Sequence, residues 1–304
     1  MKRINIGGKI SASAVAMGCM RITDAGKDAG RVIETALECG IDWFDHADIY
    51  GGGECEKVFG DYLAKHKDIR DKITIQTKCG IRKGFYDFSK EHIIESCEAS
   101  LKRLRTDYVD VLLLHRPDTL MEPEEVAEAF SRLESAGKVK YFGVSNHNIY
   151  QIELLKTAVK QPLIIDQLQL SIPESGLITS GLNVNMKNEE SVMHDGGLLE
   201  YTRIKNMTIQ AWSPFQQGFI KKPFIGDTEN FGALNERLDE LAEKYSADPT
   251  AIASAWLIRH PANIQVISGS VNPNRIKSVC RGADIVLTRE DWYSVYLAAG
   301  FKLP

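Results

Sequence analysis

Short apolar runs alternate with stretches of helical period from one end of this chain to the other. Eight of the runs are candidate core strands: 13–17, 41–45, 73–78, 108–115, 139–145, 163–170, 207–212 and 264–267. Most are continuously apolar rather than alternating, as strands buried on both faces are. The segments between them have helical limits. Val32, Ile33, Ala36 and Leu37 share a face before a stop at Gly40, and Ile93, Cys97, Leu101 and Leu104 recur at helical spacing. Pro123 opens a helix that Gly137 closes, Asn148 caps another, Leu234, Leu238 and Leu241 form a stripe, and Asp248-Pro249 starts a further one. Strand followed by helix, eight times over, specifies parallel strands in α/β units. No Gly-x-Gly-x-x-Gly follows any strand, which leaves an open nucleotide-binding sheet without support. The expected fold is therefore α/β, a closed (β/α)8 TIM barrel. A β-hairpin about Gly7-Gly8 (3–6 and 9–13) precedes it and a helix ends it.

The length of 304 residues suits one such barrel, typically about 250 residues, with insertions. No linker-like shift in composition divides it, so 1–304 reads as a single domain. The stretch 171–197 is polar, rich in Gly, Ser and Asn, and long for a strand-to-helix connection, which makes it a lid or a surface decoration. Net charge is −4, so nothing asks for nucleic acid or an anionic membrane as partner. Six cysteines form no C-x-x-C pair and no zinc-like spacing, so no metal is expected. With no apolar run near the ~20 residues of a membrane span and no secretory leader, the expected location is cytoplasmic. Oligomeric state leaves no signature in the sequence.

In such a barrel the active site lies at the C-terminal ends of the strands. The polar residues there are Asp45 and Tyr50 after the second run, Lys78 at the end of the third and His115 at the end of the fourth. Singly, each has a bland reading as a turn former, loop cover, solvated rim cation or hydrogen-bonded rim imidazole. Together they aim a carboxylate, a phenol, an ammonium and an imidazole at one volume. An ammonium favours a neighbouring phenolate and lowers the phenol's pKa, while a paired carboxylate keeps the ammonium charged. The imidazole orients a substrate oxygen or relays a proton. This is an acid/base group without nucleophile or metal. It suits protonation of a carbonyl oxygen while a cofactor delivers hydride.

Those residues, and the run Gly40-Ile41-Asp42-Trp43-Phe44-Asp45-His46-Ala47-Asp48-Ile49-Tyr50, resemble the aldo-keto reductase family over essentially the whole chain. The resemblance implies NADP(H)-dependent reduction of aldehydes or ketones, a small-molecule carbonyl substrate, and a catalytic set of Tyr50 (general acid), Asp45, Lys78 and His115. It implies further that Ser145, Asn146 and Gln167 bind the nicotinamide carboxamide and that Gly18, Cys19, Met20 and Arg21 line its ribose, with Asp45 alongside. Trp212 would stack on the ring, and Ser213, Pro214, Phe215, Gln216 and Gly218 would cover the pyrophosphate. Gly269, Ser270, Val271, Asn272 and Arg275 would bind the adenosine end, where Asn272 caps a helix, Pro273 opens it, and helix N–H groups with Arg275 make an anion site. NADPH is expected over NADH. Two positions depart from the family. His46 stands where Thr or Ser is frequent, a change expected to alter the rim, and Gly269 replaces a basic residue that would touch a 2′-phosphate. Met20, Ile49, Phe85, Tyr86, Arg116 and Phe215 are the candidate pocket lining. Two rival readings remain open, a Schiff-base aldolase or lyase using Lys78 and a non-catalytic NADPH sensor.

Overall fold

The computed structural model describes residues 1–218 and 221–304. Its twelve described strands are β1 (Arg3–Ile6), β2 (Ile10–Ser13), β3 (Val15–Gly18), β4 (Trp43–Asp45), β5 (Thr74–Cys79), β6 (Ile81–Arg82), β7 (Phe85–Tyr86), β8 (Val109–Leu114), β9 (Val139–Ser145), β10 (Leu163–Gln169), β11 (Thr208–Trp212) and β12 (Gln265–Ser268). Eight of them close a parallel barrel in the order β3, β4, β5, β8, β9, β10, β11, β12 and back to β3. All eight expected runs are present, with ends shifted by a residue or two. The first begins later than expected because Ser13 belongs to the hairpin, pairing with Arg3, and its amide donates to Asp42 Oδ1 (2.8 Å).

The helices are α1 (Ala29–Glu38), α2 (Glu54–Lys65), α3 (Lys90–Leu104), α4 (Pro123–Ser135), α5 (Ile149–Leu155), α6 (Gly176–Leu182), α7 (Leu198–Ile204), α8 (Thr228–Lys244), α9 (Pro249–Arg259), α10 (Pro273–Gly282) and α11 (Arg289–Ala298). Pro123 and Pro249 occupy first-turn positions, and Asn148 and Gln151 form a reciprocal capping box. Helix α2 has no counterpart among the helices read from the sequence. The stretch 171–197 is more embedded than a lid or decoration. Ser171, Ile172, Ile178, Thr179 and Asn183 are buried, α6 lies within it, and Ser171 Oγ holds the Gln216 carbonyl at 2.9 Å.

The hairpin β1–β2 closes the end of the barrel where the strands begin. Gly7, at φ +54°, donates its N–H to Thr208 Oγ1 (2.9 Å), and a Cβ there would meet the Ile164 Cβ at 2.4 Å. Only glycine satisfies both the left-handed backbone and that approach. The opposite end remains for chemistry.

Candidate active site

The register sets the arrangement. Asp45, last in β4, pairs with Gln76 of β5, and Lys78 lies two residues further on, so Gln76 and Lys78 face the interior together while Thr77 faces the helices. Lys78 is fully buried and its ammonium reaches three acceptors: the Asp45 carboxylate (2.7 and 2.9 Å), the His46 carbonyl (2.7 Å) and the Tyr50 hydroxyl (3.1 Å). Three donors with three acceptors leave no lone pair for a carbonyl carbon. Burial by itself would lower the Lys78 pKa, but Asp45 and Tyr50 outweigh it and the net shift is upward. The lysine is a held ammonium. The Schiff-base reading is therefore disfavoured.

The Tyr50 phenol corrects one expectation. Burial raises its pKa above the ordinary value of 10.0, with the Asp45 charge adding, and this exceeds the opposing pull of Lys78. Desolvation penalises the phenolate more than the single ammonium relieves it, so Tyr50 stands protonated. His115 follows β8, its ring edge-on to Tyr50 at 5.9 Å between centroids, and its Nδ1 is buried without a partner. Burial, then Lys78 and Arg116, push its pKa well down, so the imidazole is neutral.

His46 does not alter the rim. Its ring is fully buried beside Phe59 (4.7 Å), neither nitrogen has a partner, and burial followed by the Lys78 charge takes its pKa to about 3. Only its backbone carbonyl serves the site. Behind Thr77 lies a second charged group. The fully buried Glu56 of α2 accepts from Thr77 Oγ1 (2.6 Å) and from Arg103 Nε of α3 (2.7 Å).

The remaining expected residues gather around the same mouth. Asn146 and Ser213 follow β9 and β11 with left-handed backbones (φ +62° and +50°), a conformation that only a few non-glycine residues adopt. Asn146 accepts from the Trp212 indole N–H (3.1 Å) and donates to Ser145 Oγ (2.7 Å) and the His115 carbonyl (3.3 Å). The Arg116 guanidinium lies over the Trp212 ring, 5.6 Å from its centroid. Gln167 gives one amide N–H to Asp45 (3.0 Å) and one to Gln210 (2.9 Å). Gly18 ends β3, and Cys19, Met20 and Arg21 open a 3-10 segment, with Cys19 buried and the other two exposed. The Ser213 carbonyl takes the Gln216 amide (3.1 Å) and the Phe215 carbonyl takes the Phe224 amide (3.1 Å), so the loop Ser213, Pro214, Phe215, Gln216 folds back on Pro223 and Phe224, with Gly218 (φ +139°) beyond it.

At the end of β12, a Cβ on Gly269 would meet only Arg21 Nη2, at 3.8 Å. The missing side chain leaves a place that a guanidinium from β3's loop borders. Ser270 Oγ accepts the Asn272 amide, and Asn272 caps α10 by accepting from the amides of Asn274 (2.9 Å) and Arg275 (3.3 Å). Those two N–H groups are spent on the cap. The helix N–H groups expected to meet an anion are therefore already satisfied, while the Arg275 side chain is exposed.

Met20, Ile49, Phe85 and Tyr86, expected as pocket lining, are all exposed, with Phe85 and Tyr86 on β7 of the small β6–β7 hairpin. The sequence reading assigned no role to Gln76, Gln210, Gln265, Glu56 or Arg103. The signal for the first three was present, a lone amide inside each of the apolar runs Ile75-Gln76, Ile209-Gln210-Ala211 and Ile264-Gln265-Val266.

A barrel mouth with a buried carboxylate–ammonium pair held on a half-buried phenol, beside a neutral imidazole, defines a proton donor for carbonyl chemistry. Comparison with known proteins agrees. The model of the aldo/keto reductase family matches residues 14–296. An uncharacterized oxidoreductase of Bacillus subtilis, YcsN, is 36% identical over the full length of both chains. A 6-dehydroglucose reductase of Agrobacterium fabrum is 35% identical over 98% of each. An aldo-keto reductase of Klebsiella pneumoniae solved in complex with NADPH superposes with a TM-score of 0.77 at 21% identity, over 97% of this chain and 93% of that one. The chain belongs to the aldo/keto reductase family. It is thereby an oxidoreductase that interconverts carbonyl compounds and alcohols with a nicotinamide cofactor. Among the described residues no helix is long and apolar enough to cross a membrane, and no cluster of three or more His, Cys, Asp or Glu is placed to hold a metal ion.

Proposed function

We propose that this chain reduces aldehydes to alcohols with NADPH, Tyr50 donating the proton. The observation that carries the reading is the triple hold on Lys78, which fixes an ammonium on the Tyr50 oxygen inside a barrel wall. The chemistry of the mouth suits the cofactor. Asn146 and Trp212 form a polar and aromatic pair at the strand ends. Gln167 has committed both amide hydrogens, so its carbonyl oxygen is the group it offers to a carboxamide. Arg21 brings a cation to the bare backbone at Gly269, and Arg275 stands exposed in the first turn of α10. Ser145, Asn146, Gln167 and Trp212 would hold the nicotinamide end, 18–21 the ribose, 213–218 the pyrophosphate, and 269–272 with Arg275 the adenosine phosphate.

When bound, the reduced nicotinamide supplies the hydride. The protein supplies the rest. Tyr50 keeps its proton because burial disfavours the phenolate, and it presents that proton to the carbonyl oxygen. Lys78 then steadies the phenolate left behind, and Asp45 keeps Lys78 charged. His115, held neutral, offers a hydrogen bond to the same oxygen without competing for the proton.

The relatives named as 6-dehydroglucose reductases make 6-dehydroglucose the first member of a test panel that includes simple aldehydes and ketones. We expect NADPH consumption with at least one aldehyde. Tyr50→Phe should lower turnover by ~10²–10⁴, the range of a lost general acid, while cofactor still quenches Trp212 fluorescence. A parent protein that binds NADPH and turns over nothing on the panel would favour the sensor reading. Unchanged turnover in Tyr50→Phe would remove Tyr50 from its role.

A further inference from the structure

The barrel interior of this fold is usually filled by layers of bulky branched side chains. Here one layer is polar. Gln167, Gln210 and Gln265 are register neighbours on β10, β11 and β12, and Gln76 faces them from β5 beside Asp45. All four are buried. Their amides form one connected chain. Gln265 donates to the Ser13 carbonyl (2.8 Å), Gln210 donates to Gln265 Oε1 (2.8 Å), and Gln76 and Gln167 both donate to Gln210 Oε1 (2.9 Å each). The same two side chains give their second N–H to Asp45 Oδ1, Gln76 at 2.5 Å and Gln167 at 3.0 Å.

The direction of this chain is fixed at both ends. A backbone carbonyl and a carboxylate are acceptors only, so each glutamine must turn its amino group toward them and its oxygen away. Gln210 is the junction, because its one oxygen takes both Gln76 and Gln167. The result is a pair of N–H groups clamped on one oxygen of the carboxylate whose other contacts hold Lys78.

We propose that Gln76 and Gln210, anchored through Gln265, are positioning residues for catalysis. They orient Asp45 and draw off part of its charge, and so set how strongly Asp45 acts on Lys78 and Tyr50. Hydrogen bonds donated to a carboxylate favour and screen the charged form. The Asp45 charge raises the Tyr50 pKa. Taking away an amide donor leaves more of that charge for Tyr50 to feel. The phenol then titrates at higher pH, and the orientation of Lys78 loosens. The proposal rests on the catalytic reading of Tyr50, whose own test is Tyr50→Phe. A parent that fails to turn over carbonyls would fail that reading and not this one.

The experiment compares Gln76→Met and Gln210→Met with the parent, Met being similar in length without an amide. In both, kcat should fall about tenfold, less than the ~10²–10⁴ of a lost acid or base because the proton donor itself is kept, while KM for NADPH stays within about twofold because neither residue lies at the mouth. The alkaline limb of the pH–rate profile should move up by roughly half to one unit. Adding either substitution to Asp45→Asn should change the profile no further, since both act through Asp45. A readout without turnover uses cofactor-free protein labelled with ¹⁵N in its glutamine side chains. The Gln76 and Gln167 amide protons should be displaced downfield and protected from exchange, and return toward ordinary values in Asp45→Asn and Gln210→Met. If Gln76→Met does not fold, Gln210→Met and the amide spectrum carry the test. A profile that is only scaled, with its midpoint unmoved, or amide protons indifferent to Asp45→Asn, would overturn the proposal.

Discussion

The Lys78 ammonium and the Tyr50 hydroxyl lie 3.1 Å apart, and this contact is the one outlet of a lysine whose other hydrogens end on Asp45 and the His46 carbonyl. A charge enclosed on all sides acts wherever its enclosure lets it. Here that place is the phenol.

Lys78→Met should therefore lower carbonyl reduction by ~10²–10⁴ with little change in NADPH affinity. It should also move the alkaline limb upward, because the ammonium is what pulls the Tyr50 value down against burial. Combined with Tyr50→Phe, the loss should be far less than the product of the two, as expected of groups acting as a unit. Steady-state kinetics across pH check all three; multiplicative losses would separate the pair.

Preference for NADPH over NADH should fall on Arg275, since the Asn274 and Arg275 amides are spent on the Asn272 cap. Arg275→Ala should reduce NADPH affinity roughly ten- to thirtyfold and leave NADH nearly unchanged, as for one charge-assisted contact to phosphate. Added salt should narrow the parent's preference. Arg21→Ala reports on the neighbouring cation. Equal losses for both cofactors in fluorescence titrations would place Arg275 on a group the two share.

Stability should depend on pH through Asp48. Burial raises its carboxyl from 3.8 to about 7, the Glu56 charge adding and Arg103 opposing. The folded chain then holds this proton more tightly than the unfolded chain does. Stability falls as pH rises through that window, and the whole penalty is present above about pH 7. Asp48→Asn should raise unfolding stability there by about 1–3 kcal/mol and match the parent near pH 4. Urea melts at the two pH values check it; a stabilisation largest in acid would have the sign wrong.

The repeating pattern of runs and helices carried the barrel, and the residues just past each run carried Asp45, Tyr50, Lys78 and His115 to one mouth. What stayed illegible depends on closure. Gln76 and Gln167 lie far apart in sequence and share Asp45 only because β10 comes round to face β5. Whether burial or Lys78 governs Tyr50 is a balance of enclosure, which no spacing reports. His46 precedes the rim loop in sequence, yet the alternation that aims Asp45 into the barrel turns the His46 ring the other way, onto Phe59 of α2. Pro273 marks the start of α10 in sequence and structure alike, but a cap that satisfies N–H groups and an anion that would need them read the same from Asn272.

Gly7, pressed against Ile164 with its N–H on Thr208, seats the hairpin that shuts the barrel where its strands begin. Everything that enters or leaves crosses a single rim, and the floor has no part in choosing it. Met20, Ile49, Phe85 and Tyr86 stand exposed on that rim, while the amide layer and the charged wall lie below. Substitutions at those four positions should therefore change which carbonyl compound is preferred while leaving the Lys78–Tyr50 contact in place. A lineage, or an engineer, can redraw the guest list at the door while the foundations stay as they are.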